Sequence, residues 1–359
     1  MVFAGCLVDA FVYNANPGRV IFGAGTLSRL PAEVERLGLQ RVLVLATPVQ
    51  ESSAQELSRQ IGARSAGVFA DARMHTPVEV TEKAMAVVTE RRVDGLVAVG
   101  GGSTTGLAKA LALRTDLPQI VAPTTYAGSE MTPILGETQA GRKVTQSSPK
   151  ILPEVVIYDV ELTFTLPVAQ SVTSGMNAVA HAVEALYTRE ANPLISLLAE
   201  NGIGALARGL PRIAADPRDR EARSSALYGA WLCGICLGTV GMALHHKLCH
   251  TLGGMFDLPH AETHTAVLPH AVAYNRPATP AAMQAVARAM GVEDPAAGLY
   301  DLARSLGATM ALRDLGMPQN GIAQATDAAL ANPYWNPRPL EKEAIRALLT
   351  SAYEGARPV

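Results

Sequence analysis

The amino-acid sequence predicts an α/β domain built on a parallel sheet, followed by an all-α domain. Three observations carry that prediction. Short, almost uninterrupted apolar runs alternate with helical stretches as far as Val155–Tyr158, the pattern of strands buried on both faces. From Ser171 onward the segments are long and Ala/Leu-rich, with no strand pattern. At 359 residues, 48% hydrophobic and 17% charged, the chain can bury two sizeable cores. The change of character falls near Asp159–Leu166 and divides the chain into residues 1–161 and 162–359.

The elements follow in order. Val20–Gly25 reads as a strand ending in a glycine turn, and Thr26 can cap a helix through Leu30–Leu37. Arg41–Ala46 is a buried strand, followed by a helix near Ala54–Ile61 and a strand at Ala66–Phe69. Val78–Arg91 is amphipathic at helical spacing. Gly95–Val99 is a further buried strand, ending at Gly100-Gly101-Gly102-Ser103. A helix over Thr105–Leu113 and a strand over Gln119–Ala122 come next, and Val155–Tyr158 completes the sheet. Helices are expected at Met176–Tyr187, Ile195–Leu206, Ser224–Leu248, Pro280–Met290, Pro295–Leu306, Gln319–Ala331 and Glu341–Tyr353.

Composition removes several classes of function. The net charge is −2, aromatics are 5%, and there is no basic tract, so no nucleic-acid partner is expected. Four scattered cysteines make no disulfide framework and fit a reduced cytoplasm. The N-terminal stretch lacks the basic and apolar regions of a signal peptide, which also argues for a cytoplasmic location. Ser225–Leu244 is charge-free and long enough to span a bilayer, but its glycines suit a buried central helix better, so no membrane partner is expected. Cys233 and Cys236 lie inside that run and read as core residues.

The chemistry concentrates in His245–His270. Six of the eight histidines stand there: His245, His246, His250, His260, His264 and His270. His246 and His250 are four apart and share a helix face. A break at Gly253-Gly254 should turn the chain so that His260 returns toward them. Any one histidine can cap a helix or fill a polar gap, but so many in one place argue for metal binding, acid–base chemistry or anion binding. Further upstream, Asn177, His181 and Glu184 fall on one helix face. The Gly100–Ser103 cluster, between a buried strand and a helix, lets backbone amides approach a pyrophosphate. Pro123–Glu130 (PTTYAGSE) places hydroxyls at the end of the next strand, where ligand crevices form.

Together these motifs resemble the iron-containing (group III) alcohol dehydrogenase family, from about Val12 to Tyr353. The resemblance rests on GRVIFGAG (Gly18–Gly25), GGGS with Ala108-Lys109, PTTYAGSE, the Leu162–His181 run into AHAVE, the His246/His250 block through LPH, and NPRP (Asn336–Pro339). It implies a Rossmann-like N-terminal domain and a helical C-terminal domain, the dehydroquinate synthase-like architecture, with the active site in the cleft between them. It also implies NADH and/or NADPH held by Gly100, Gly101, Gly102, Ser103, Thr124, Thr125, Thr132 and Lys143, and a homodimer. The family's metal ligands, an Asp and three His, match Asn177, His181, His246 and His260, with His250 near the substrate.

The departures are informative. An amide stands at Asn177 where the family has a carboxylate, which leaves four neutral donors for a divalent ion, so no metal is expected. Gly106 replaces the Asp of the family's GGGSxxD, and the Thr-rich loop is shortened. The acidic residue that would hold the ribose 2′-hydroxyl falls near Thr47, so a 2′-phosphate is not repelled. These features resemble one branch of the family, the maleylacetate reductases, which reduce the double bond of maleylacetate to give 3-oxoadipate in bacterial degradation of aromatic compounds. That reading gives a small dicarboxylate substrate bound by His181, His246, His260 and Asn177, with Lys247 or Lys143 as helpers. His250 or His246 is the expected proton donor, and Tyr126 a contact to substrate or nicotinamide. A metal-dependent alcohol or polyol dehydrogenase that tolerates Asn177, and an inactive nucleotide-binding protein, are the alternatives.

Overall fold

The computed structural model describes residues 11–16, 18–139 and 142–358, without the side chains of residues 142 and 143. The N-terminal half is an α/β unit. Its elements are β1 (Arg19–Gly23), α1 (Leu30–Arg36), β2 (Val42–Leu45), α2 (Glu51–Ile61), β3 (Ser65–Phe69), α3 (Val78–Glu90), β4 (Gly95–Gly100), α4 (Gly102–Thr115) and β5 (Gln119–Pro123). A hairpin of β6 (Ile134–Gln139) and β7 (Arg142–Ser147) follows, then β8 (Val155–Asp159). Six strands form one parallel sheet in the order β1-β8-β5-β4-β2-β3. The central strands β2, β4, β5 and β8 are buried along their whole length, which explains their unbroken apolar sequences. One face of the sheet packs on Leu30, Val34, Ala54 and Leu57, the other on Val80, Ala84, Leu107 and Leu111.

The C-terminal half is helical: α5 (Val168–Ala185), α6 (Pro193–Ala215), α7 (Arg220–Thr239), α8 (Leu244–Phe256), α9 (His260–Asn275), α10 (Pro280–Met290), α11 (Pro295–Ser305), α12 (Gly321–Ala331) and α13 (Lys342–Glu354). Its core is continuous with the edge of the sheet, where Val156 and Tyr158 of β8 pack among residues of α5, α6 and α7.

Three expectations need correction. The β6–β7 hairpin, antiparallel from Ile134↔Ser147 to Gln139↔Arg142, was not among the expected elements. Its strands are half polar (ILGETQ and RKVTQS) and lack the apolar runs that marked the others. The expected single helix Ser224–Leu248 is two helices, α7 and α8, bent by 92° across residues 240–243. Among the described residues no single helix is long and apolar enough to cross a membrane. The chain does not turn at Gly253-Gly254: α8 runs through both glycines and stops at Asp257, whose left-handed backbone (φ 52°) ends the helix.

Candidate active site

The order of the sheet creates the first half of the site. From β2 the chain leads outward to β3, whereas β4 leads to β5 on the other side, so the connections diverge and leave a crevice at the strand ends. Helix α4 opens there, directly after β4, with Gly101 extended ahead of it (φ −86°, ψ −157°). Its first amides and the positive end of its dipole face the crevice. A side chain at Gly102 would meet nothing within 4 Å, so a ligand can approach the backbone closely. The Thr47 hydroxyl donates to Gln50 Oε1 (3.0 Å), Gln50 Nε2 donates to Thr124 Oγ1 (3.4 Å), and Thr124 N donates to Gly100 O (3.0 Å). Thr125 packs beside Gly101. Thr47, Gly100, Gly101, Gly102, Ser103, Thr124 and Thr125 therefore share one rim, which suits the pyrophosphate and ribose of a dinucleotide.

One of the expected cofactor residues, Thr132, stands elsewhere. Thr132 is buried, and its Oγ1 and carbonyl accept from Lys109 Nζ at 2.9 and 2.7 Å. Lys109 is an entirely buried ammonium that also donates to the carbonyls of Ser129 and Ile134. Burial pulls its pKa down to about 7, opposed by the charge of Glu130. Thr132 thus solvates a buried cation and does not face the crevice. The side chain of Lys143 lies outside the described residues.

The second half of the site is a cluster of imidazoles at the junction of α5, α8 and α9. His181 and His246 have ring centroids 5.1 Å apart, and His264 stands 4.9 Å from both His245 and His246. His250 lies 6.1 Å from His246, and His260 lies 4.2 Å from His264. Local folding explains the convergence. Asn177 and His181 occupy one face of α5, His246 and His250 one face of α8, and α9 begins at His260, so His264 points the same way one turn later. Glu184, a further turn along α5, is fully buried beneath them. It accepts from the amides of Ala243 (2.8 Å) and His245 (2.7 Å), which the α7–α8 break leaves without helical partners. Its Oε2 also accepts from His246 Nδ1 at 2.7 Å. With Nδ1 donating, His246 Nε2 carries a bare lone pair.

Several buried atoms of this cluster have no hydrogen-bond partner in the protein: Asn177 Oδ1, His181 Nδ1, His246 Nε2 and both ring nitrogens of His264. An unpaired buried polar atom costs ~1–3 kcal/mol, so such a group of them is the mark of a ligand site. Burial, reinforced by neighbouring imidazoles, holds His181, His246 and His264 well below the ordinary histidine pKa, and burial holds His245 at about 4. These rings are neutral at pH 7.

The donors lack the carboxylate that the resemblance implies for a divalent ion, although ring nitrogens of His245, His246 and His264 lie within 4.8 Å of one another. Every unpartnered donor is neutral, and the one carboxylate beneath them, Glu184, has both oxygens engaged by N–H groups. Burial also pushes the Glu184 pKa up, which weakens it as an anion. A dication here would have no anionic ligand, in the position where Asn177 replaces a carboxylate.

The remaining expected residues divide. Lys247 is half-buried, its Nζ 5.6 Å above the ring of Tyr334. Tyr126 does not reach the cluster: it is fully buried in the helical core, and its hydroxyl accepts from the equally buried Arg223 at 3.3 Å. Its ring packs in the helical core and its hydroxyl is taken up by Arg223, so the structure gives it a packing role in place of the expected contact to substrate or nicotinamide. Sequence reasoning singled out neither Tyr334, whose hydroxyl lies 3.1 Å from His250 Nδ1, nor the central position of His264. The four-residue spacing from His260 was a signal for His264. Nothing in the sequence pointed to Tyr334.

The two halves meet at Gly128. Its left-handed backbone (φ 75°) brings the loop after β5 against Gly234 of α7, and a Cβ there would stand 3.1 Å from Gly234 Cα and 3.7 Å from His181 Nδ1. The nucleotide rim and the imidazoles are thereby held side by side.

Comparison with known proteins gives a consistent result. Residues 17–160 match the model of the iron-containing alcohol dehydrogenases, and residues 171–353 match the C-terminal model of the Fe-containing alcohol dehydrogenase family. A maleylacetate reductase of Sphingobium indicum is 57% identical over 349 residues, covering 97% of this chain and 99% of its own length. A maleylacetate reductase of a Rhizobium species is 56% identical, covering 98% of this chain and its own full length. The crystal structure of maleylacetate reductase from Agrobacterium tumefaciens superposes with a TM-score of 0.95 at 55% identity, covering 98% of this chain and 100% of that one.

Proposed function

This chain belongs to the iron-containing alcohol dehydrogenase family and is an oxidoreductase of the maleylacetate reductase type, and from that premise we propose that it reduces the carbon–carbon double bond of maleylacetate with NAD(P)H, without a metal. The observation that carries the reading is the neutral, buried and unpartnered set Asn177, His181, His246 and His264 beside the glycine-rich rim. Alcohol oxidation by metal catalysis needs a cation to polarise oxygen. Reduction of an enone needs hydrogen-bond donors for the developing enolate and an acid for carbon. The neutral N–H and imidazole groups of the cluster support the second task.

In this reading the bound nicotinamide supplies hydride to the alkene carbon β to the ketone. The protein does the rest. The rim from Gly100 to Ser103, with Thr124 and Thr125, orients the dinucleotide. His181 and Asn177 hold the ketone and the carboxylate on the alkene through N–H groups, in a pocket whose burial strengthens each contact. His246 serves as an acceptor, its tautomer fixed by Glu184. That assignment leaves His250, at the exposed end of the cluster, as the proton donor to the α carbon. His260 packs on His264 and shapes the entrance. Thr47 gives no carboxylate to repel a 2′-phosphate, so both NADH and NADPH are accepted.

The experiment is a spectrophotometric assay of purified protein with maleylacetate and either nucleotide. Loss of reduced-nicotinamide absorbance with formation of 3-oxoadipate is expected. No loss with either nucleotide, together with NAD-linked oxidation of simple alcohols, would contradict the reading.

A further inference from the structure

We propose that Tyr334 and Lys247 form a subsite for the second carboxylate of the substrate, the one beyond the ketone, on a loop strapped across the mouth of the histidine cluster. The inference rests on the dicarboxylate reading above and adds what recognises the second charge.

The strap is the segment 332–340, between α12 and α13, which has no regular structure of its own. It is nevertheless fixed. Asn336 and the buried Asn275 exchange two amide hydrogen bonds, at 2.9 and 2.7 Å. Arg338 donates to Tyr274 O (2.9 Å) and lies 4.2 Å above the Tyr274 ring, whose hydroxyl donates to Pro339 O (2.7 Å). Arg189 covers the Trp335 ring at 5.3 Å. A loop with this many ties holds one shape, and its side chains are positioned as if on a regular element.

What the strap delivers is Tyr334. Its ring stands edge-on to His250, its hydroxyl 3.1 Å from His250 Nδ1, while Lys247 Nζ sits over its face. Lys247 precedes His250 by three positions on α8, so both reach the same side of that helix. Among the described residues Lys247 forms no ion pair. Tyr334 is 37% exposed, so part of it faces solvent at the rim. Burial of its hydroxyl and the charge of Glu184 push its pKa up, which keeps the phenol a donor at neutral pH.

A second carboxylate requires a positive charge together with an O–H or N–H donor. Lys247 supplies the charge, and Tyr334 supplies the directional donor. Both adjoin His250, so a substrate anchored there presents its α carbon to the proton donor.

The test compares maleylacetate with 4-oxopent-2-enoate, the same enone without the second carboxylate. The preference is the ratio of kcat/KM for the two, or of their competition constants if the shorter acid turns over poorly. In the full-length protein, Lys247→Met and Tyr334→Phe should each lower that ratio by about tenfold or more, the worth of one charge-assisted hydrogen bond. A ratio that stays at the wild-type value, with both substrates losing alike, would overturn the subsite while leaving the proposed reaction intact. Wild-type protein that turns over neither acid would overturn the proposed reaction, and the subsite with it.

Discussion

At the scale of single residues, the account turns on Asn177. A carboxylate at this position would give the imidazoles around it an anionic partner that strengthens binding of a divalent ion, and the amide does not. Asn177→Asp is therefore expected to create a metal site. Elemental analysis after dialysis against zinc should find about one ion per chain in the variant and almost none in the wild type. Equal occupancy in both would mean that the amide is already an adequate ligand. Individual residues were legible in the sequence to different degrees. Asn177, His181, His246 and His250 could be read because helical spacing alone puts them on shared faces. Tyr126 could not, because its chemistry suits a catalytic role and only the path of the chain shows that Arg223 holds its hydroxyl inside the core. Thr132 failed for the same kind of reason, since its acceptors serve the buried Lys109.

At the scale of elements, the buried strands and most helices could be read because apolar periodicity is a local signal. The features that build the site are tertiary. The break between α7 and α8 falls within an apolar run that reads as one helix, and its exposed amides make sense only once Glu184 of α5 arrives to accept them. The contact of the loop after β5 with α7 likewise depends on two glycines far apart in sequence, Gly128 and Gly234. Gly128→Ala tests that contact. Its Cβ would combine a left-handed backbone with a clash against Gly234 Cα, and a loss of ~1–3 kcal/mol in urea unfolding is expected. Turnover should fall along with stability, because the same loop carries Thr124 and Thr125. An unchanged unfolding midpoint would show that the two elements separate easily and that the junction is not rigid.

At the scale of the whole molecule, the helical core and the sheet edge are continuous, and the site lies where they join. Concentrating neutral histidines there has a consequence for stability. Burial holds His245 and His270 at about 4, against about 6.5 in an unfolded chain. Between those values the unfolded chain takes up protons that the native chain refuses. Stability is therefore complete above pH 6.5 and declines as pH falls toward 4, by ~1.4 kcal/mol per pH unit for each such histidine. His270→Gln should reduce the slope of unfolding free energy against pH in that window by about one such contribution, and an unaltered slope would show that His270 is protonated in the native state. The central claim, that this set of imidazoles reduces an enone without a metal, has a more direct test. Maleylacetate and reduced nicotinamide nucleotide are mixed with protein dialysed against a strong chelator, and the rate is compared with that of untreated protein and of protein resupplied with iron or zinc. Equal rates in all three are predicted. A rate that is lost on chelation and restored by one of the ions would contradict the account and return the cluster to metal catalysis.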